Sequence, residues 1–98
     1  MTAYVIVDIE VTDPTYYEEY KKLAPAAVAA YGGRYLVRGG RTETLEGTWM
    51  PTRLVILEFD SMDRAKAWLN SPEYGRARQM RHQAAQSNMV VIEGVGAA

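Results

Sequence analysis

Apolar and polar positions alternate through residues 4–11, with Val5, Val7, Ile9 and Val11 on one side and Tyr4, Ile6, Asp8 and Glu10 on the other. A period of two in a β-branched and aromatic run predicts a strand. One of its faces is wholly apolar and the other mixed, and a mixed face implies either solvent or a polar cavity. The period then changes. Tyr17, Tyr20, Ala24, Ala27, Val28 and Tyr31 recur at helical spacing, while Glu18, Glu19, Lys21 and Lys22 cover the far side. Asp13 can cap the free N–H groups of this helix, and Pro14 suits its first turn. Pro25 lies inside the pattern and predicts a kink, because it removes a hydrogen bond and crowds the preceding turn.

The stretch Tyr31-Gly32-Gly33-Arg34-Tyr35-Leu36-Val37-Arg38-Gly39-Gly40 is the pivot of the chain. Gly32 ends the helix in a left-handed conformation, and a strand over 34–38 follows. Gly39-Gly40 predicts a bulge or bend, with 41–45 continuing the strand and 46–51 forming a hairpin loop. Residues 53–59 are dense in apolar side chains and predict a central strand. Asp60-Ser61 opens a helix whose buried stripe is Ala65, Trp68 and Leu69. Asn70-Ser71-Pro72-Glu73 stops that helix and starts another, with Ser71 as cap and Pro72 in the first turn. Tyr74, Ala77, Arg78 and Arg81 lie along one side of it. Residues 87–93 give a last strand, with Val90 and Ile92 sharing a face.

The order is β-α-β-β-α-β, with the second helix broken at Pro72. It predicts a single α+β domain over 1–98 of the ferredoxin-like kind: an antiparallel four-stranded sheet with its helices on one face. The first and third strands are apolar on both sides, so the other face needs a cover, and a second copy packing sheet to sheet supplies one. A chain of 98 residues buries a modest core, which also favours a homodimer.

Composition removes several classes. There are 11 basic and 12 acidic residues, for a net charge of −1, and the basic residues alternate with acids. No nucleic-acid stripe or anionic-membrane patch is expected. Cysteine is absent, so disulfides, thiolate nucleophiles and thiolate metal sites are excluded. No apolar run approaches the roughly 20 residues of a membrane span, and the sequence opens directly on a strand pattern without a signal-like run. A cytoplasmic location is expected. Gly32-Gly33 ends a helix instead of opening one, which gives no phosphate cradle.

Four sets of residues carry candidate chemistry. Arg38, Trp68, Tyr74, Arg78 and Arg81 form an arginine and aromatic group suited to ligand binding. Guanidinium groups match carboxylate or enolate oxygens in pairs, and aromatics wall a pocket. The competing reading makes the aromatics core anchors and pairs the arginines with Glu46, Glu58 or Glu73. Tyr17, Tyr20 and Tyr31 offer phenols able to protonate a bound carbonyl, with Tyr20 preferred as the catalytic group; the alternative is amphipathic packing with wet hydroxyls. Asp8, Glu10 and Glu58 are strand acids, and Asp8 is carried forward as a candidate base if burial raises its pKa. Otherwise such acids pair with Arg34 or Arg53. The single histidine, His82, cannot build a zinc site alone and fits helix capping better than ligation. No metal site and no cofactor are called for.

The run from Tyr31 to Gly40, then Glu46-Gly47, Pro51, Arg53 and Phe59, then Trp68 with Ser71-Pro72-Glu73-Tyr74 and Arg81, resembles the bacterial family called domain of unknown function 1330. The resemblance covers essentially the whole chain. It implies membership of the dimeric α+β barrel superfamily, in which two ferredoxin-like subunits face each other through their sheets. Relatives there include cofactor-free monooxygenases, muconolactone-type isomerases and haem-handling enzymes. Trp68 invites comparison with the helix tryptophan of the haem-degrading relatives, but their strand asparagine has no counterpart among Val5, Val7 and Ile9. The expected role is binding of a small anionic or carbonyl-bearing molecule between sheet and helices. The alternatives are a cofactor-free isomerase or monooxygenase, with Tyr20 or Asp8 moving protons, and a purely structural dimer.

Overall fold

A computed structural model describes residues 1–96. The elements are β1 (Ala3–Val11), α1 (Pro14–Ala30), β2 (Arg34–Arg38), β3 (Leu54–Phe59), α2 (Met62–Leu69), α3 (Pro72–Ala84) and β4 (Ala85–Glu93). All strand pairs are antiparallel, and the four-stranded sheet runs β2-β3-β1-β4. This is the ferredoxin-like order, with α2 and α3 sharing the place of one helix.

The strand periodicity decides which face is covered. Val5, Val7 and Ile9 of β1 and Val55, Leu57 and Phe59 of β3 are buried together against the helices. The α1 stripe Tyr17, Tyr20, Ala24, Ala27 and Val28 closes over them from one side. Trp68 of α2 and Tyr74, Ala77 and Met80 of α3 close from the other. Asp13, Ser61 and Ser71 cap the three helices, each side chain accepting from the N–H group three residues on. The other sheet face is open: Leu36, Val90 and Ile92 are about half exposed there.

Two expectations are corrected, the strand over 41–45 and the start of the last strand. The first helix runs as one element through Pro25, since packing of its apolar stripe holds the turns on either side. Of the bulge or bend expected at Gly39-Gly40, the structure has the bend: Gly39, at φ +73°, turns the chain off the sheet, so 41–45 form no strand and 39–53 is one long loop. A separate bulge lies at Leu36, where the β2–β3 register shifts between Tyr35 and Val37. The last strand starts at Ala85, two residues earlier than the pattern suggests, because β1 pairs with it from Ala3↔Glu93 to Val11↔Ala85.

Gly33 is required by close approach. A Cβ there would lie 2.5 Å from the Phe59 ring and 2.9 Å from Val28. The α1–β2 corner is thereby pressed directly onto the core. Among the described residues, no helix is long and apolar enough to cross a membrane.

Candidate functional site

Between the sheet and the helices, aromatic rings and arginines meet in one network. Trp68 and Tyr74 are buried with ring centroids 4.4 Å apart. The Tyr74 hydroxyl lies 2.7 Å from that of Tyr20, either one donating. Arg81 Nε donates to the Tyr74 hydroxyl at 3.3 Å, and its Nη1 donates to Ser87 Oγ at 3.0 Å. Arg53 Nε donates to the Tyr17 hydroxyl at 3.2 Å. Three helices, β4 and the end of the loop before β3 thus converge on a row of phenols flanked by guanidinium groups.

Arg81 is only 5% exposed, and it has no carboxylate within ion-pairing distance among the described residues. Burial of a charge costs several kcal/mol unless a counter-charge and hydrogen bonds compensate. Two neutral hydroxyls are weak compensation. The surface ion pairs use other residues; Arg34 with Glu58 is one, as the strand acids suggest. Among the described residues none of Arg38, Arg78 and Arg81 pairs with an acid, while Trp68 and Tyr74 do anchor the core, so the structural alternative holds for the aromatics and not for the arginines.

Two cavities share Trp68, Arg81 and Met89 as walls. The inner one has a volume of about 20 Å³, room for about one water. Tyr17, Tyr20, Tyr74, Arg38 and Arg53 line it as well, and no acid does. The outer cleft, beneath β4, is about 270 Å³. Lys66, Arg78, His82 and Ser87 join its walls, again without an acid. Most basic residues of the chain are exposed, but those that line the two cavities have no acid beside them in the walls.

Burial, reinforced by the neighbouring Tyr74, pushes the Tyr20 phenol far above its ordinary pKa. It stays protonated and can donate a hydrogen bond, while burial makes it a weaker proton donor than a free phenol. Burial also raises Tyr35. His82 is lowered, first by desolvation and then by Arg81 and Arg78, which leaves it neutral at neutral pH.

Not every candidate arrives at this site. Asp8 lies on the open face of the sheet, accepting from Trp49 Nε1 at 2.9 Å and from the Thr52 N–H at 3.0 Å. It holds the 39–53 loop to β1, and the structure does not bring it to Tyr20. Tyr31 is on the surface, donating to Glu73 Oε2 at 3.0 Å. Arg38 reaches the mouth of the inner cavity, 4.6 Å from the Tyr35 ring centroid. Its Nη2 donates to the Lys21 carbonyl at 3.0 Å. That carbonyl is the one an N–H at position 25 would have satisfied, and Pro25 has none. The proline in α1 and the arginine in β2 are thus a matched pair. Arg53, Tyr35 and Ser87 were missed as site residues. Arg53 carried a signal: it shares a face with Val55, Leu57 and Phe59, and a charge on an apolar strand face faces a partner or a hollow. Among the described residues, no three His, Cys, Asp or Glu gather as a metal cage.

Fold and site together define a ferredoxin-like subunit with a cationic, aromatic-walled hollow under its helices. The chain belongs to the DUF1330 family, a domain of unknown function whose model matches residues 2–95. No protein of curated function matches it significantly. Among solved structures, a protein of unknown function from Rhodopseudomonas palustris is 16% identical, with a TM-score of 0.77 over 98% of this chain and 84% of that one. A dimeric, ferredoxin-like protein of unknown function from Bacteroides fragilis is 18% identical, with a TM-score of 0.63 over 95% and 96%. SnoaB, a cofactor-independent oxygenase from Streptomyces nogalater, is 12% identical, with a TM-score of 0.63 over 98% and 94%. At these identities the likeness is one of fold.

Proposed function

We propose that this protein is a homodimer that binds a small anionic or carbonyl-bearing organic molecule between the sheet and helices of each subunit. The observation that carries the reading is Arg81, a buried guanidinium with no acid to balance it. A ligand oxygen supplies what the protein withholds, and the surrounding aromatics provide apolar walls. Trp68 borders both cavities with Arg81, Arg78 borders the outer one, and Tyr74 and Arg38 border the inner one. The dimer reading is supported by the apolar side chains on the open sheet face and by the description of the Bacteroides fragilis neighbour as dimeric. Sheet-to-sheet contact would cover Leu36, Val90 and Ile92.

A second reading, a cofactor-free isomerase or oxygenase, is favoured by the Tyr20–Tyr74–Arg81 chain of contacts. Tyr20, held protonated in the one-water chamber, is in this reading a hydrogen-bond donor that acts through Tyr74 or that water, and Arg81 is the group to balance charge on a developing enolate or carbonyl oxygen. Asp8, turned to the other face, serves in this reading to fix the loop. The oxygenase neighbour adds fold-level analogy only.

A thermal-shift screen of small organic acids and carbonyl compounds tests the proposal. A ligand specific to the native state raises the melting temperature by mass action. If no acid or carbonyl compound raises it at millimolar concentrations, the binding reading is wrong. Turnover of a hit, lost in Tyr20→Phe, would select the enzymatic reading.

A further inference from the structure

Of the two cavities, only the outer cleft has room for an organic molecule. Its chemistry is one-sided. Lys66 from α2 and Arg78 and Arg81 from α3 bring positive charge, Ser87 from β4 brings a hydroxyl, and no lining residue is acidic. His82, also in the wall, is neutral near pH 7 and adds charge only below its lowered pKa. The rest of the wall is apolar, including Val5, Ala65, Leu69 and Val91.

Two donors at this cleft are unsatisfied. Trp68 Nε1 and Arg78 Nε are both buried, and neither has a hydrogen-bond partner. Trp68 itself is only 2% exposed. An orphaned buried donor costs about 1–3 kcal/mol, and both atoms are shielded from solvent in the ligand-free protein, so an acceptor that reached them on binding would offset that cost. Arg78 Nη1 donates to the Leu69 carbonyl at 3.4 Å and to Asn70 Oδ1 at 3.2 Å, and the guanidinium lines the cleft beside that of Arg81.

We infer that the cleft beneath β4 is a carboxylate site for a small acid with a short apolar tail, its carboxylate taken by Arg78 and Arg81 and its tail by Val5, Ala65 and Val91. This rests on the binding reading above and narrows it to one cavity and one ligand class. Charge alone would admit an inorganic anion, but such an ion would leave the apolar wall against water. A neutral amide would fill the wall and leave three cations unbalanced. The volume, about 270 Å³, lies just under the roughly 300–1,000 Å³ of sites for drug-sized ligands, which sets the ligand as small.

The test uses the indole N–H resonances of ¹⁵N-labelled protein, one from Trp68 and one from Trp49, assigned by Trp49→Phe. Trp49 lies on the open face against Asp8 and serves as the internal control. Sodium hexanoate, hexanamide and inorganic phosphate are titrated at constant ionic strength. Hexanoate is expected to shift the Trp68 resonance to saturation without moving that of Trp49. Arg78→Gln is expected to weaken hexanoate by at least about tenfold, the loss of one charge-assisted contact, while keeping the native spectrum elsewhere. Hexanamide and phosphate are each expected to bind at least about tenfold more weakly than hexanoate. Equal binding of phosphate or hexanamide, unchanged binding in Arg78→Gln, or no Trp68 shift with hexanoate overturns the inference. The binding reading survives any of these if the wider screen yields a ligand that raises the melting temperature, and falls with it if the screen yields none.

Discussion

The contact between the Tyr20 and Tyr74 hydroxyls can be dissected by removing one oxygen at a time. Tyr74 is the shared member: its hydroxyl sits 2.7 Å from Tyr20 and accepts from Arg81 Nε at 3.3 Å. Tyr20→Phe removes one neutral hydrogen bond and leaves Tyr74 with Arg81, which should cost about 0.5–1.5 kcal/mol. Tyr74→Phe strands the buried Tyr20 hydroxyl and frees Arg81 Nε. One orphaned group, at about 1–3 kcal/mol, and one weakened charged contact give about 2–4 kcal/mol. In the double variant the stranded Tyr20 hydroxyl is gone, so the loss should be smaller than the sum by about 1–2 kcal/mol. Urea unfolding at fixed protein concentration gives these values from midpoints, provided the slopes agree. Equal losses in the two single variants, or additivity within about 0.5 kcal/mol, would refute the shared-acceptor geometry.

Three further outcomes follow from contacts elsewhere. Arg38→Met should destabilise the native chain more than it does a Pro25→Ala background by about 1 kcal/mol, because an alanine at that position supplies the Lys21 carbonyl with its own N–H; a double-mutant cycle in urea measures this. Gly33→Ala should cost about 1–3 kcal/mol by driving a methyl into Phe59 and Val28, a fall of several degrees in melting temperature for a domain of this size. The His82 pKa lies below its unfolded value, so the unfolded chain takes up the proton first; the stability this residue allows is complete above about pH 6.5 and is lost as pH falls below that. Stability-against-pH curves of the native protein and His82→Gln should converge at neutral pH and separate toward pH 5, with the native protein falling faster; parallel curves would contradict the shift.

The fold was legible because each local signal agreed with the others. Alternation in residues 4–11 and 53–59 marked the central strands, and Asp13, Ser61 and Ser71 announced three helix starts that the structure keeps. Gly39-Gly40 advertised backbone freedom and the chain does bend at Gly39, but the bulge at Leu36 carried no such mark, because register is settled by pairing with β3. Asp8 was drawn to the site by its mixed face. Whether that face lies under the helices is a tertiary fact, and here the Val5–Val7–Ile9 face does. The aromatic and arginine group was visible as residue types, but not its division between a one-water chamber and a roomier cleft. Nor was the Pro25–Arg38 match, since it joins residues of different elements through the carbonyl of a third.

Arg81 bears the central claim, and substituting it separates ligand binding from structure. With no acid to orphan, Arg81→Met should change the ligand-free stability by only about 1 kcal/mol, where breaking a buried ion pair would cost about 3–5 kcal/mol. The decisive measurement is the melting temperature of the native protein and Arg81→Met, side by side, against small organic acids at constant ionic strength. A ligand at about a hundred times its Kd contributes about 2.7 kcal/mol, or about 10–20 °C for a domain of this size. The account predicts that rise in the native protein and a flat response in the variant; parallel responses, or none in either protein, would contradict it.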